Sequence, residues 1–309
     1  MLAIQNLSRS FSSLKAVDQI SLHVNPGEIY GLLGPNGAGK TTTISCICGL
    51  LDPDGGTIEL DGVAIRSDPI GFKQRIGVVP QETALYEDLT ARENLNFWGG
   101  LAGLGGVRLK ESTAEVLKAV GLEERSREPV RKYSGGMKRR LNLAIGMIHR
   151  PRLLLLDEPT AGIDPQARLN ILDIVRGVAR AGTLVLYTTH YLEEAQELCD
   201  RIGIMDHGRI LAEGSLADLK RIVGEGEILT LRGAFTPEQI RAVIAEDPRV
   251  RIVALEEGYA LLDVGSERGE AAGILGRVLK RGLPVDDISI QPPSLQSLFL
   301  KLTGRELRD

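Results

Sequence analysis

The chain has 309 residues, of which 43% are hydrophobic and 25% are charged, and its net charge at pH 7 is −4. This length predicts one large and one smaller domain, and the composition is that of a soluble globular protein. The apolar runs fall far short of the roughly 20 residues that a membrane-spanning helix needs, and the N-terminus lacks secretory-signal features, so we expect a cytoplasmic protein. The negative net charge gives no general attraction to nucleic acid.

A strand is predicted over residues 27–33, and the loop after it has a phosphate-binding pattern. Gly34-Pro35-Asn36-Gly37-Ala38-Gly39-Lys40-Thr41 fits G-x-x-x-x-G-K-[ST], and a helix is predicted from Thr42 to residue 50. Glycines let backbone N–H groups approach phosphate oxygens, and the helix N-terminus adds a partial positive charge. The pattern predicts a nucleotide site in which Lys40 neutralises the β and γ phosphates and the Thr41 hydroxyl ligates Mg²⁺.

A helical region is predicted to begin near residue 91 and to include residues 112–120. Further along, Ser134 stands in a position to cap a helix predicted over residues 138–149. Two glycines, Gly135 and Gly136, follow this serine. A simple helix cap explains the serine and leaves the two glycines unexplained.

A second buried strand, predicted over residues 152–157, ends in two carboxylates, Asp157 and Glu158. Proteins with parallel sheets place their chemistry at this end of the strands. Beside a phosphate-binding loop, Asp157 is predicted to hold Mg²⁺ through its water shell, and Glu158 to act as general base toward the attacking water. A third strand is predicted over residues 184–188.

After residue 224 the pattern changes to shorter elements. Strands are predicted at 228–231, 250–255, 259–264 and 288–291, helices at 237–245 and 271–280, and a final helix at 294–303. This βαββαβ order predicts a ferredoxin-like α+β domain. The predicted domains are therefore residues 1–222 and 225–309.

The phosphate loop, the two carboxylates and the run Ser134-Gly135-Gly136-Met137 together resemble the ATP-binding cassette (ABC) ATPases, over about residues 2–220. The resemblance implies an α/β P-loop cassette with a parallel sheet core, an antiparallel β subdomain and a helical subdomain that carries the family's signature, residues 134–137. In that family the signature of one subunit closes over the ATP held by the phosphate loop of another. A homodimer is therefore expected, with Ser134, Gly135 and Gly136 at the partner's ATP.

The resemblance also implies roles for isolated residues whose own chemistry is not distinctive. Phe11 matches the aromatic residue that stacks on adenine, which is more often tyrosine. Gln81 matches the loop glutamine that senses Mg²⁺ and communicates with the membrane partner. Asp164, in residues 161–164, matches the loop at the dimer interface, and His190 matches the histidine that contacts the γ-phosphate. Met137 replaces the commoner glutamine of the signature.

Residues 80–95 and 298–307 resemble the branch of drug and antibiotic exporters that includes daunorubicin-resistance subunits. This implies ATP- and Mg²⁺-dependent export through a separate multi-helix permease at the inner face of the membrane, with contacts from residues 82–98. One alternative is an ABC ATPase that acts on ribosomes or DNA, for which the seven Lys and Arg residues from Arg125 to Arg140 could form a footprint. Subunits for import, or for lipid or polysaccharide export, share the same motifs. The sequence leaves the transported substrate and the role of the C-terminal domain open.

Overall fold

The computed structural model describes residues 1–223, 226–245, 250–264, 270–292 and 294–303, without the side chains of residues 223 and 270. The chain forms two compact units, Met1–Ile210 and Leu211–Asp309. Residues 224 and 225, where the sequence predicts the boundary, lie outside the described residues, as do residues 304–307 of the exporter-like ending. The division comes earlier because the helix Leu216–Val223 packs against the last helix, Leu295–Thr303.

The first unit combines strands and helices in alternation. In chain order its elements are β1 (Leu2–Phe11), β2 (Leu14–Val24), β3 (Ile29–Leu33), α1 (Lys40–Ile47), β4 (Gly55–Leu60), β5 (Val63–Ala64), α2 (Pro69–Gln74), β6 (Ile76–Val79), α3 (Ala91–Leu101), α4 (Gly106–Ala119), α5 (Gly135–Met147), β7 (Leu153–Asp157), α6 (Pro165–Arg180), β8 (Leu184–Thr189), α7 (Leu192–Leu198), β9 (Arg201–Asp206) and β10 (Arg209–Gly214). Strand β10 crosses the boundary between the two units.

The main sheet of the first unit has six strands in the order β10-β9-β3-β8-β7-β6, and β9, β3, β8, β7 and β6 pair in parallel. Every residue of β3, β7 and β8 is buried. In the register, Leu33 is opposite Thr189 and Asp157 is opposite Thr188. The predicted parallel core is confirmed, and the phosphate loop and the carboxylates follow the same edge of it.

The two faces of this sheet are covered by different layers. Leu153 and Leu155 pack in a core with an antiparallel sheet of order β2-β1-β4-β5. Leu154 and Leu156 point the other way and pack in a core with α3, α4, α5 and α6. Alternate residues of one apolar strand are thus buried on opposite sides, as expected for a parallel strand between two layers. The antiparallel and helical subdomains implied by the family resemblance are both present.

Several helices of this unit, including α3 and α5, begin at side-chain caps. Thr90 and Glu93 form a capping box at α3, and the Ser134 hydroxyl accepts a hydrogen bond from the Met137 N–H at 3.3 Å at α5. Because Ser134 is the cap, Gly135 and Gly136 are the first residues of α5, which begins earlier than the predicted residue 138. Among the described helices, none combines the length and the apolar character needed to traverse a lipid bilayer.

The second unit contains α8 (Leu216–Val223), β11 (Glu227–Gly233), α9 (Pro237–Ile244), β12 (Arg251–Glu256), β13 (Tyr259–Val264), α10 (Glu270–Lys280), β14 (Val285–Gln291) and α11 (Leu295–Thr303). Its antiparallel sheet has the order β12-β13-β11-β14. Residues of α9 and α10 share a core with one face, and Leu300 of α11 packs against Ile228 and Leu261 of the other. The predicted βαββαβ order is confirmed, and the last helix begins one residue after the predicted position.

Candidate functional site

Two glycines of the loop between β3 and α1 lie where an added side chain would collide with backbone atoms. A Cβ on Gly34 would lie 2.2 Å from the carbonyl oxygen of Met205, and one on Gly39 would lie 2.2 Å from that of Ala16. Gly39 also has a φ of +108°, a conformation that residues with side chains rarely adopt. The loop therefore closes tightly against two neighbouring segments.

Helix α1 starts directly at the end of this loop. Its N-cap is Gly39, which supplies no side-chain hydrogen bond, so the first-turn amides are not capped by a side chain and can bind an anion. The Lys40 side chain is only 4% exposed, and its Nζ donates to the carbonyl oxygens of Gly34 at 2.6 Å and Pro35 at 3.0 Å. The lysine is thus held across the loop beside the expected phosphate position.

A cavity of about 490 Å³, here called the phosphate-loop cavity, lies in front of the loop. Its volume is within the usual range for small-ligand sites. It brings together most residues predicted to bind nucleotide, with Gly34, Pro35 and Ala38 in the loop behind it. Its walls are formed by Phe11, Leu14, Lys15, Ala16, Asn36, Gly37, Gly39, Lys40, Thr41, Thr42, Gln81, Glu158 and His207.

Phe11 stands at this cavity with 43% of its surface exposed. The Arg9 guanidinium carbon is 5.1 Å from the ring centroid, close enough for a cation–π contact. A flat aromatic surface at the rim of a polar cavity suits an adenine ring. The predicted stacking position is therefore part of the cavity that contains Lys40.

Glu158 is the most constrained residue of the site. Its φ is +45°, a left-handed conformation that is unfavourable for a residue with a side chain, and its backbone N–H donates to the Thr188 hydroxyl at 3.1 Å and carbonyl at 3.2 Å. The carboxylate is 3.1 Å from Lys40 Nζ through Oε1 and 3.0 Å from His190 Nδ1 through Oε2. The strand end thus holds the carboxylate between a lysine and a histidine.

Asp157 lies just before Glu158 and is only 5% exposed. Its Oδ1 accepts a hydrogen bond from the Thr188 hydroxyl at 2.7 Å. Among the described residues there is no cluster of three or more His, Cys, Asp or Glu that could hold a metal by itself. Magnesium commonly binds through one or two protein oxygens together with substrate phosphates, and Thr41 and Gln81, which carry a hydroxyl and an amide oxygen, line the cavity. These hard oxygen donors fit Mg²⁺.

The predicted signature residues are not in the phosphate-loop cavity. Ser134 and Gly135 are exposed, and Gly136 packs so closely against α6 that a Cβ there would lie 2.7 Å from the Ala167 Cβ. Asp164 caps α6 by accepting the Ala167 N–H at 2.9 Å. Gly135 lines a separate cavity of about 480 Å³, the signature cavity, with Gln81, Glu82, Thr83, Lys138, Arg139, Ala161, Gly162 and Ile163.

Gln81 lines both cavities, which the sequence did not indicate. Its carbonyl oxygen accepts a hydrogen bond from Arg139, which also donates to the Ala161 carbonyl at 3.2 Å. Burial lowers the pKa of the Arg139 guanidinium. Arg139 therefore joins the Gln81 loop to the segment that leads to Asp164.

His207 and Lys15 at the phosphate-loop cavity were also missed by sequence reasoning. His207 has a φ of +45° in the turn between β9 and β10, and the next residue, Gly208, donates to the Ala38 carbonyl at 2.9 Å. A His-Gly pair between two strand-like runs signals a turn, but nothing local places that turn against the phosphate loop.

The basic run between Arg125 and Arg140 is largely occupied by contacts within the helical subdomain. Ion pairs lower the charge that the run offers to a polyanion, and three of its basic residues form them. Five of its seven side chains have partners: Arg125 with Glu128, Arg131 with Asp88, Lys138 with Glu87, Arg139 with the Gln81 and Ala161 carbonyls, and Arg140 with the Val120 carbonyl. This finding weighs against the nucleic-acid footprint.

Comparison with known proteins agrees with this geometry. A sequence profile described as ABC transporter matches residues 17–161. The linearmycin resistance ATP-binding protein LnrL of Bacillus subtilis is 42% identical over 311 aligned positions, which span 100% of both chains. This chain belongs to the ABC transporter family. It is accordingly an ATPase subunit of the ABC type, as its sequence predicted.

Other members of the ABC family support both the fold and the branch. The daunorubicin/doxorubicin resistance ATP-binding protein DrrA of Streptomyces peucetius is 39% identical, over 98% of this chain and 92% of its own length. A solved structure of the ATP binding subunit of an ABC transporter is similar, with a TM-score of 0.66 and 31% identity, over 72% of this chain and 93% of that one. The predicted cassette fold and the likeness to drug-resistance subunits are confirmed.

The loop geometry of this ABC ATPase predicts the effect of a single methyl group. We expect Gly39→Ala to weaken ATP binding by at least about tenfold, which corresponds to about 1.4 kcal/mol, because the added Cβ collides with the Ala16 carbonyl and the φ is unfavourable. Gly62→Ala is the matched control, since Gly62 has a φ of +78° but no atom within 4 Å of the added Cβ. Calorimetric titration with ATP compares them, and equal affinities would contradict the assignment of this loop.

Proposed function

We propose that this subunit binds ATP between two cassettes and hydrolyses it, with Glu158 as general base, to drive export of a small molecule through a separate permease. The main support is the position of Glu158. Its carboxylate lies between Lys40 and His190, at the wall of the cavity that the phosphate loop forms. A carboxylate so placed can reach a water molecule aligned with a terminal phosphate.

The loop residues would bind the nucleotide. Adenine would stack on Phe11, and the phosphates would receive backbone N–H donors from residues 34–41 together with the Lys40 ammonium. Thr41, Gln81 and Asp157 would hold Mg²⁺, directly or through water. The bound ion would neutralise part of the phosphate charge and fix the orientation of the phosphates.

The hydrolytic step then needs a proton acceptor that is already in place. Glu158 would take the proton of the attacking water, and His190, whose Nδ1 is 3.0 Å from Glu158 Oε2, would hold the carboxylate and contact the γ-phosphate. Lys40 would stabilise the negative charge on the transferred phosphoryl group. The low exposure of Lys40 and Glu158 strengthens these electrostatic interactions.

We further propose a homodimer in which the signature acts in trans. ABC cassettes work as dimers beside membrane permeases. In this chain Ser134 and Gly135 are exposed beside the signature cavity, apart from the phosphate-loop cavity. A second subunit would complete each ATP site with its signature residues, and Asp164 would lie at the same interface.

An exposed aromatic group supports a permease contact within residues 82–98. The rings of Tyr86 and Phe97 are 5.0 Å apart, and those of Phe97 and Trp98 are 5.5 Å apart. Tyr86 is 46% exposed and Phe97 42% exposed. Adjacent exposed aromatic side chains commonly mark protein-binding surfaces. The subunit would therefore lie at the inner face of the membrane, attached to its permease.

The names of the relatives favour small-molecule export over the alternatives. LnrL and DrrA are named for resistance to linearmycin and to daunorubicin or doxorubicin, and both align over nearly the whole chain. An ABC ATPase acting on ribosomes or DNA has less support, because three of the seven basic residues form ion pairs within the subunit and two more hydrogen-bond to its backbone carbonyls. Import and lipid or polysaccharide export use the same ATP chemistry, so the permease distinguishes them.

Removing the proposed base separates binding from hydrolysis. We expect Glu158→Gln to bind ATP and to lose turnover by roughly 10²-fold or more, because the amide cannot accept the proton of the attacking water. Lys40→Ala is the contrasting variant and should lose both binding and turnover. Nucleotide-binding assays and phosphate release measure the two effects. Near wild-type hydrolysis by Glu158→Gln would refute the general-base assignment.

Two inactive variants should complement one another if the signature acts in trans. Mixed dimers of Lys40→Ala and Ser134→Ala, isolated through two different tags, contain one complete site, and we expect about half of the wild-type ATPase rate from them. Each variant alone should be nearly inactive. Melting temperatures control for the loss of the Ser134 cap, which is worth about 1 kcal/mol. Mixed dimers as inactive as the parents would exclude the trans arrangement.

The permease contact can be tested by purification from native membranes. We expect the Glu158→Gln variant, purified with ATP, to carry a multi-helix membrane protein with it. Adding Phe97→Ala should reduce the recovery of that membrane protein by about tenfold or more, because an aromatic anchor is often worth at least 2 kcal/mol. Ile70→Ala, which truncates a 74% exposed side chain on α2, is the control. Recovery of ribosomes or nucleic acid instead would favour the alternative class.

A further inference from the structure

A second carboxylate, Glu194 on α7, is completely buried behind the site and has no part in the chemistry proposed above. Four donors surround it. Its Oε1 is 2.5 Å from the Thr160 hydroxyl and 2.9 Å from Arg168 Nε, and its Oε2 is 2.9 Å from the Tyr187 hydroxyl and 2.7 Å from the Thr189 hydroxyl. A buried carboxylate is costly unless it is paired and hydrogen-bonded, and here both oxygens are fully used.

The partners of Glu194 come from three segments around the reaction site. Thr160 is two residues after Glu158, and Thr189 immediately precedes His190. Arg168 lies in the first turns of α6, where its backbone N–H donates to the Asp164 carbonyl at 3.0 Å. We call Glu194, Thr160, Arg168, Tyr187 and Thr189 the Glu194 cluster.

The cluster also constrains the residues on both sides of His190. The Thr189 hydroxyl accepts the Tyr191 N–H at 2.9 Å while it donates to Glu194. The Arg168 guanidinium carbon is 5.4 Å from the centroid of the Tyr191 ring, which in turn is 4.1 Å from the His190 ring. The turn that carries His190 is therefore tied to Glu194 before and after the histidine.

Tyr187 completes the set as a donor. Burial, followed by the nearby Glu194 charge, raises the pKa of its phenol well above the usual value, so the hydroxyl stays protonated and can donate. Glu194 itself does not line the phosphate-loop cavity. Any effect on ATP must pass through the residues that it holds.

We propose that Glu194 is a positioning residue for hydrolysis, which fixes the turn of residues 189–191 against Thr160 so that His190 Nδ1 stays within 3.0 Å of Glu158 Oε2. The inference rests on the proposed roles of Glu158 and His190. A misplacement of about 1 Å at a reacting group can lower a rate about 10²-fold. Loss of the Glu194 charge therefore affects turnover and leaves ATP binding almost intact.

The first experiment uses the full-length Glu194→Gln variant, in which an amide replaces one acceptor oxygen and removes the charge opposite Arg168. We expect kcat to fall at least about tenfold while the Kd for ATP changes less than about twofold. Glu193→Gln, which alters the exposed neighbour on the same helix, is the matched control. An unchanged kcat in Glu194→Gln, or a large loss of ATP affinity, would overturn the proposal.

A double-mutant cycle with His190→Ala tests whether the effect passes through the histidine. We expect Glu194→Gln/His190→Ala to have the same kcat as His190→Ala alone, because the positioned group is already absent. Independent, multiplying losses would overturn the inference about Glu194 alone. Wild-type turnover in His190→Ala would overturn the proposed role of His190 and, with it, this inference.

Thr189 provides a second route if Glu194→Gln does not fold, since removing one partner of a buried ion pair can be strongly destabilising. Thr189→Val keeps the shape and loses the hydroxyl, so it should show the same loss of kcat with retained ATP binding. Thr189→Ser restores the hydroxyl and should recover most of that loss. Equal kcat values for the two Thr189 variants would contradict the proposal, and melting temperatures confirm that both are folded.

Discussion

Lys40 Nζ and Glu158 Oε1 are 3.1 Å apart in a place where both side chains are almost fully buried. Each charge would be costly in that environment without the other, so the loop after β3 and the end of β7 have to meet. Strand β8 lies between these strands in the sheet. Thr188 of this strand connects them, since its hydroxyl donates to Asp157 Oδ1 and accepts the Glu158 backbone N–H. The parallel sheet thus brings together the ends of three neighbouring strands, which carry or lead to a lysine, a threonine and two carboxylates.

The local parts of this arrangement could be predicted from the sequence. The phosphate loop needs only eight consecutive residues, because glycines and the following helix already determine its backbone. Asp157 and Glu158 are recognisable because they end an entirely apolar strand, and the C-terminal domain because its elements alternate cleanly. In each case the information lies within one short segment. Helix starts were less accurate: α1 begins at Lys40 and α5 at Gly135, because their caps precede the apolar pattern.

What the sequence could not provide are contacts between distant segments. His207 lies at the phosphate-loop cavity, in a turn almost at the end of the first unit. Arg139, one of the seven basic residues of the possible nucleic-acid footprint, donates to the carbonyl oxygens of Gln81 and Ala161. Glu194 is followed by ordinary helical residues, and nothing nearby indicates that it is buried. Its four donors come from three separate segments of the chain, so the partners of this buried carboxylate are brought together only by folding. The roles of Gln81, His190 and the signature were predicted from the resemblance to a family, because the local chemistry of these residues is not distinctive.

The left-handed backbone of Glu158 has a consequence for how this protein would respond to selection for stability. Glycine, and to a lesser degree asparagine, adopt a φ of +45° with less strain than glutamate. Replacement by glycine would relax the backbone, but it would also leave the buried Lys40 ammonium without the carboxylate that offsets its charge. These two effects on stability oppose each other, so a library selected only for heat resistance would gain most from changing Glu158 and Lys40 together to uncharged residues. Such a double variant would lack both the proposed general base and the proposed phosphate-binding lysine, so stability and activity favour different residue pairs at these two positions.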